Sequence, residues 1–360
     1  MVNLIEQAKA QLQTVITRAA DRAAQRGSLP SAELSDYSID RTTDSAHGDF
    51  AANAALKSAK SLRLAPRAVA QAIADELSLE GTFFERCEVA GPGFLNFFLA
   101  PSFADRTITA VLSEGDDYGR TDFGGGEKVM VEFVSANPTG PMHIGNARGG
   151  ALGDCLAAVL DWSGHKVTRE FYINDAGNQI EKFALSLEVR YLQHFLGEEA
   201  VELPEDAYHG ADITERAEQF IAENGDSLLH VESAERRRAL CNWALPRNIA
   251  ALKSDLEKYR IYYDVWFHES QLHESGLVKR VLDILTEKGL TYEKDGALWY
   301  KNAEFMEKRL RSEGKSEEEI AKLELKDEVL VRANGNPTYF AADIAYHYNK
   351  FAQRGFSRVI

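Results

Sequence analysis

The stretch SANPTGPMHIGNARGGALGD at positions 135–154 sets two prolines and five glycines around a single histidine, His143, directly after the strand-like run VMVEFV at 129–134. A strand that runs into a glycine-rich turn and then a helix aims backbone N–H groups, and the positive end of the helix, at the carboxyl edge of a sheet. Phosphates bind at such edges. Within the turn, Pro138 and Pro141 stiffen the backbone and remove donors, while Gly140 and Gly145 permit close backbone approach by a ligand. His143 stands where the helix starts, and its imidazole can donate to a phosphate oxygen there. A donor aimed at the charge that builds up on a pentavalent phosphorus stabilises the transition state more than the ground state. Asn146 is read as the N-cap, with an amide that serves either the same oxygens or the helix. Each residue alone is ordinary, since prolines and glycines punctuate loops and Asn is a common cap. The chemistry rests on the ordered set S-x-N-P-x-G-P-x-H-x-G-N between a strand and a small-residue helix.

The elements that must position this set follow an α/β pattern. From Lys128 the order is strand, glycine-rich loop, helix (about 146–163), strand (167–173), loop and helix (about 177–196). That alternation predicts a parallel sheet with helical crossovers. Residues about 197–257 are polar and helix-favouring, and read as a helical insertion. The strand-like YYDVWF (262–267), a helix near 276–288 and the short runs LWY, VLVR and TYF resume the α/β character, with a solvated helical excursion expected between Glu304 and Glu328. Residues 1–115 read as a small α/β domain with a helix at its start, a second helix from about Phe50, and a turn leading into a strand in AGPGFLNFFLAP (90–101). Segment 116–127 reads as a linker whose glycines lack the G-x-x-x-x-G-K-[ST] phosphate-loop pattern. The closing FSRVI resembles a sheet strand interrupted in mid-course, so the sequence is expected to be a piece of a longer chain.

A length of 360 residues accommodates two or three units, and 44% hydrophobic with 10% aromatic residues excludes a disordered or fibrous chain. No apolar run approaches the roughly 20 residues that span a bilayer, and the first residues form a charged amphipathic pattern. A cytoplasmic location without membrane partners is expected. Cys87, Cys155 and Cys241 lie too far apart for a C-x-x-C clip or a disulfide framework, and no metal ligand set is read. The net charge of −15 weighs against indiscriminate nucleic-acid binding and against DNA as a partner. Two local cationic rows stand out, Arg18, Arg22 and Arg26 on one helical face, and Lys57, Lys60, Arg63 and Arg67. Solvated helix faces are their ordinary reading.

The ordered set around His143 resembles the HIGH signature of class I aminoacyl-tRNA synthetases, and VEFVSANPTGPMHIGNARGGALGD is similar in particular to its arginyl-tRNA synthetase version. FYINDAGNQI (171–180), NPTYFAADIAYHYNKF (336–351), HGDFAANAAL (47–56) and AGPGFLNF (90–97) resemble further segments of that family, so the resemblance covers essentially the whole chain. It implies a Rossmann-like class I catalytic domain over 128–360, incomplete at its C-terminal end, preceded by an accessory tRNA-binding domain over 1–115. It implies ATP over the loop near Pro141, His143, Gly145 and Asn146, with Mg²⁺ neutralising the phosphates, and His143 and Asn146 as the catalytic pair. L-arginine would contact Glu132, Asn137, His143, Tyr339 and Asp343, become an adenylate, and pass to tRNA(Arg). Asn146 stands where the signature has its second histidine, which keeps a donor and loses the option of positive charge. The family's KMSKS-type loop and helical anticodon-binding domain are not represented, so weak ligand binding and poor tRNA charging are expected of these residues by themselves. Two other readings are a truncated synthetase paralogue that holds tRNA or a protein partner without catalysis, and a small-molecule nucleotidyltransferase with an H-x-G-H-like loop. The N-terminal unit and the long insertion fit the second poorly.

Overall fold

A computed structural model describes residues 3–360, which divide into two compact units, one extending through Thr121 and the other Asp122–Ile360. The first contains α1 (Leu4–Gln25), β1 (Ile39–Arg41), β2 (Phe50–Ala52), α2 (Ala54–Leu62), α3 (Pro66–Ala74), β3 (Phe84–Ala90), β4 (Phe94–Leu99) and α4 (Ser102–Glu114). Its strands form an antiparallel sheet ordered β1-β2-β4-β3. Helix α1 turns Ala8, Leu12, Val15, Ile16 and Ala19 to one face, and these join Phe50, Phe84 and Phe97 in the core. The helix expected from Phe50 begins later, at Ala54. Phe50 and Ala52 alternate into the core on either side of Ala51, and that period-two burial makes the segment a strand.

The first cationic row has a structural use. Arg22 donates from Nε and Nη2 to the carbonyl of Glu76 at 3.0 and 2.5 Å, and Arg26 donates from Nη1 to the Glu76 carboxylate at 2.8 Å. Two of the three arginines thus hold α1 to the chain leaving α3. In the second row Lys57, Lys60 and Arg63 are exposed, while Arg67 donates from Nη1 to the carbonyl of Gly91 at 2.8 Å.

The second unit runs β5 (Lys128–Glu132), α5 (Ile144–Trp162), β6 (Lys166–Ile173), α6 (Asn178–Leu196), α7 (Ala211–Asn224), α8 (Ser233–Lys258), β7 (Val265–His268), α9 (Ser270–Glu274), α10 (Leu277–Glu287), β8 (Thr291–Lys294), β9 (Ala297–Tyr300), α11 (Asn302–Ser312), α12 (Glu317–Ala321), β10 (Glu328–Val331), α13 (Tyr339–Tyr348) and β11 (Arg358–Val359). Four strands make a parallel sheet ordered β11-β5-β6-β7. Val129, Met130 and Val131 are buried in succession, the continuous apolar run of a parallel strand covered on both faces. Strands β8 to β10 form a separate antiparallel sheet. The last two residues of the run TYF open α13. Thr338 is its N-cap and accepts the N–H of Ala341 through Oγ1 at 3.4 Å. Helix α5 lies close on the sheet because of its glycines. A Cβ at Gly153 would fall 2.2–2.5 Å from the Phe133 side chain, and one at Gly150 would fall 2.8 Å from Ile261 Cδ1.

One feature of the parallel sheet demands compensation. Glu132 and Glu170 are register partners on β5 and β6, and Glu170 is fully buried. Three side chains spaced by four answer this charge. Tyr346 donates its hydroxyl to Glu170 Oε1 at 2.5 Å, Lys350 donates to Glu132 Oε2 at 2.6 Å, and Arg354 donates to Glu170 Oε2 at 2.5 Å. The helical path continues past α13 as a π turn over Asn349–Gln353, and this keeps Lys350 and Arg354 facing the sheet. Burial and the neighbouring Glu132 and Glu170 push the Tyr346 hydroxyl well above the ordinary tyrosine range, so it stays a donor. Removing one partner of a buried pair leaves an uncompensated charge. Arg354→Met is therefore expected to destabilise the second unit by about 3 kcal/mol. All four tryptophans lie in this unit, so urea unfolding followed by tryptophan fluorescence reads it alone. An unchanged midpoint would contradict the assignment.

Candidate active site

The strand leading into the His143 loop ends in a turn that most residues avoid. Val134 and Ser135 have φ of 67° and 40°, a left-handed conformation that is costly for a β-branched side chain. Four hydrogen bonds hold it. Ser135 N–H donates to the Phe133 carbonyl at 2.9 Å, and Ser135 Oγ donates to Glu132 Oε1 at 3.2 Å. Ser135 Oγ also accepts the N–H of Tyr172 at 3.1 Å, and Tyr263 donates its hydroxyl to the Phe133 carbonyl at 3.0 Å. The turn throws the chain out of the sheet, and Asn137 emerges on the surface while Pro138 and Thr139 stay buried.

His143, rather than Asn146, is the N-cap of α5. Its Nδ1 accepts the N–H of Gly145 at 3.1 Å, and Asn146 at the third helical position returns its Oδ1 to the His143 N–H at 3.0 Å, completing a capping box. The correction has a chemical consequence. An imidazole that accepts at Nδ1 carries its proton on Nε2, so the ring is a neutral donor held rigidly at a helix N-terminus. Asn146, with its oxygen engaged, is left with its NH₂ as the outward group. Protein also stands beside the two glycines, where a side chain would have no room. A Cβ at Gly145 would lie 2.9 Å from the His143 ring, and one at Gly140 would lie 3.1 Å from the Asp212 carboxylate at the start of α7.

Asn137, Pro141, His143 and Asn146 line one open cleft of ≈ 540 Å³ together with Ser135, Tyr208 and Asp212. Glu132 and Asp343 instead act on Tyr172, and Tyr339 stands one turn before Asp343 on α13. Burial first, and then the charges of Glu269, Asp343 and Glu132, push the Tyr172 hydroxyl far above its ordinary value. Burial raises the Asp343 carboxyl, with Glu132 adding to the rise and His347 and Lys350 opposing it. Burial likewise raises Glu269. Tyr339 and Asp343 occupy successive turns of one face of α13, and the Tyr339 hydroxyl accepts the N–H of Asn178 at 3.2 Å, which ties α13 to the start of α6. Ser135 belongs to both groups, since it lines the cleft and donates to Glu132.

Ser135, Tyr172, Glu269 and Lys350 are site neighbours that the sequence reading did not single out. Ser135 stands in the quoted motif, and Lys350 sits four residues after Tyr346 on a helical pattern, but neither position carries a local sign of its partner. Among the described residues, no helix is long and apolar enough to cross a membrane.

The chain matches two families of known proteins. Residues 8–99 match the arginyl tRNA synthetase N terminal domain, and residues 107–360 match the catalytic domain of the class I (R) tRNA synthetases. It is 51% identical over its whole length to an arginine–tRNA ligase of Acetivibrio thermocellus, and 50% identical to one of Moorella thermoacetica. The chain spans about 60% of the length of these relatives. Among solved structures it is similar to Thermus thermophilus arginyl-tRNA synthetase, with a TM-score of 0.53 and 25% identity, covering 94% of this chain and 53% of that one.

The raised Asp343 carboxyl gives a testable sign. The folded protein holds the proton more tightly than the unfolded chain, so below the ordinary aspartate value, about 4, the group is neutral in both states and costs nothing. As pH rises above that value the unfolded chain ionises first, so stability falls until the folded group has ionised too. Asp343→Asn is expected to match or exceed the parent's thermal midpoint, with a gap that opens from about pH 4 and then levels off at neutral pH. A loss of stability that grows with pH would show that the carboxylate is a structural support instead.

Proposed function

Because the chain belongs to the arginyl class of class I tRNA synthetases, we propose that it carries the arginine and ATP sites of an arginine–tRNA ligase. ATP lies over the loop with its phosphates against Pro141, Gly145, His143 and Asn146, and L-arginine sits between Glu132, Asn137, Tyr339 and Asp343, with its carboxylate toward His143. The arginine carboxylate attacks the α-phosphate, pyrophosphate leaves with its electron pair, and arginyl-adenylate forms. The terminal ribose hydroxyl of tRNA(Arg) then takes the acyl group and AMP departs. His143 serves the first step through its neutral Nε2–H, a preorganised donor at the helix end that costs no reorganisation as charge grows on the phosphate oxygens. Asn146 adds a second donor through its NH₂. Mg²⁺ enters as part of the MgATP substrate. Transfer to tRNA, contact of the exposed Lys57, Lys60 and Arg63 with tRNA, and work in the cytoplasm belong to the same proposal, as does the accessory role of the first unit.

The observation that carries the reading is that Asp343, one turn after Tyr339 on α13, and Glu132, bonded to Lys350, both act with Glu269 on the electrostatics of Tyr172. Lys350 bonds Glu132, which leaves Asp343 and Glu269 as carboxylates to offer a cationic ligand. Arginine brings two cationic ends, and its five-donor guanidinium suits carboxylate acceptors better than a point charge does. Binding of arginine is measured against lysine and citrulline, which respectively keep the charge without the planar fork and the shape without the charge. Arginine is expected to bind at least about ten-fold more tightly than either, and Asp343→Asn to erase most of that margin. Equal affinity for citrulline would end the arginine assignment. In a separate measurement, His143→Ala is expected to slow arginine-dependent ATP–pyrophosphate exchange by a parent chain of the relatives' full length by about 100-fold. An unchanged rate would remove His143 from the chemistry.

A further inference from the structure

Helix α8 takes part in two cores. Its first half gives Leu240, Cys241 and Ala244 to the packing of α6 and α7, and its second half gives Leu252 and Leu256 to the cluster that holds Val131 and Phe133 of the central strand and its exit. Pro246 lies between the halves. Lacking an N–H, it interrupts the hydrogen-bond ladder of the helix where the two cores meet. Two residues further on stands Asn248, 8% exposed, and its Nδ2 donates to the carbonyl of Pro138 at 2.9 Å in a buried bond that spans 110 positions of sequence.

The recipient is poorly held by other means. Positions 136–142 lie outside any helix or strand, with a turn at Pro138 and Thr139, and two of the seven are prolines without an N–H. Asn248 therefore acts on the middle of a loop whose ends are fixed by the Val134–Ser135 turn and the His143 cap. Asn137 is adjacent to its point of attachment. The same face of α8 continues with Ala251, Leu252 and Asp255 along a cavity of ≈ 200 Å³ beneath Gly140 and Pro141.

We propose that Asn248 is a positioning residue, through which the helical insertion fixes the Pro138 carbonyl and so holds Asn137 and His143 in their ligand-facing arrangement. This rests on the ATP and arginine reading above for its functional consequence, and on the loop geometry alone for its mechanical one. The bond leaves no slack. Removing its donor strands a buried carbonyl, and the loop is freed to seek solvent.

Two variants of near-equal size test it in this chain. Asn248→Leu has no donor at any pH. Asn248→Asp has none while its carboxyl is ionised and regains one when the buried carboxyl is protonated. Hydrogen exchange is measured at the amides of His143, Gly145 and Asn146, with Val131 and Phe171 as sheet references, and ATP affinity is measured at each pH relative to the parent. Both variants are expected to speed loop exchange and weaken ATP about ten-fold at neutral pH, with the sheet amides unchanged. On acidification N248D is expected to return toward the parent, and N248L to stay impaired. Loop exchange equal to the parent's, a uniform rise that includes the sheet amides, or parent-like ATP affinity in both variants overturns the proposal. If the parent itself binds no ATP, the functional reading fails, while the exchange rates and the acid recovery of N248D still decide whether Asn248 holds the loop.

Discussion

Two carboxylates that must sit side by side govern the catalytic unit. Parallel pairing of β5 with β6 puts Glu132 opposite Glu170, one at the mouth of the site and the other wholly buried. In a low-dielectric interior neither charge is tolerable unless matched. The match comes from Tyr346, Lys350 and Arg354, and the requirement that all three reach the sheet fixes where α13 and the π turn lie. Because Tyr339 and Asp343 stand on the same helix, the ion pairing that neutralises the sheet also delivers them to the site. Lys350 spans both tasks, for its ammonium holds Glu132, opposes the raised carboxyl of Asp343, and lies 3.8 Å from the centre of the Tyr346 ring.

The His143 loop is governed by a different economy. Its conformation is unfavourable locally, with a left-handed valine and two prolines, and it persists because the surrounding structure over-determines it. Tyr263 holds the carbonyl of Phe133 and Asn248 that of Pro138, Ser135 links the turn to both Glu132 and Tyr172, and the capping box closes the far end. A loop held this way can present donors with little loss of entropy on binding. The glycines of the stretch serve the same rigidity. Gly150 and Gly153 let α5 lie against Ile261 and Phe133, and Gly145 makes room for the imidazole that caps the helix.

Much of this was legible in the residues themselves. The alternation of strand, glycine-rich loop and helix from Lys128 gave the parallel sheet, because such a pattern is written in short-range periodicity. The failures were equally local in origin. The segment at Phe50 looked like the start of a helix, yet three residues of alternating burial against β4 make it a strand, a decision that depends on a partner 47 positions away. Asn146 looked like the cap, and the histidine three residues earlier took that place, since an imidazole nitrogen can accept a backbone N–H as well as a hydroxyl or amide oxygen can.

The sequence by itself determined the class of fold and the family to which the chain belongs, since these depend on periodicity and on motifs whose residues are near neighbours. Tertiary structure decided which charges are available. Glu132 finds Lys350 across 218 positions, Glu170 finds Tyr346 across 176, and the carbonyl of Pro138 finds Asn248 across 110. No spacing rule links such pairs, because their proximity is created by the crossover connections of the sheet and the path of one long helix. The SANPTGPMHIGN stretch therefore announces a glycine- and proline-rich loop between strand and helix on its own, while its rigidity, and the tautomer of its histidine, exist only in the folded chain.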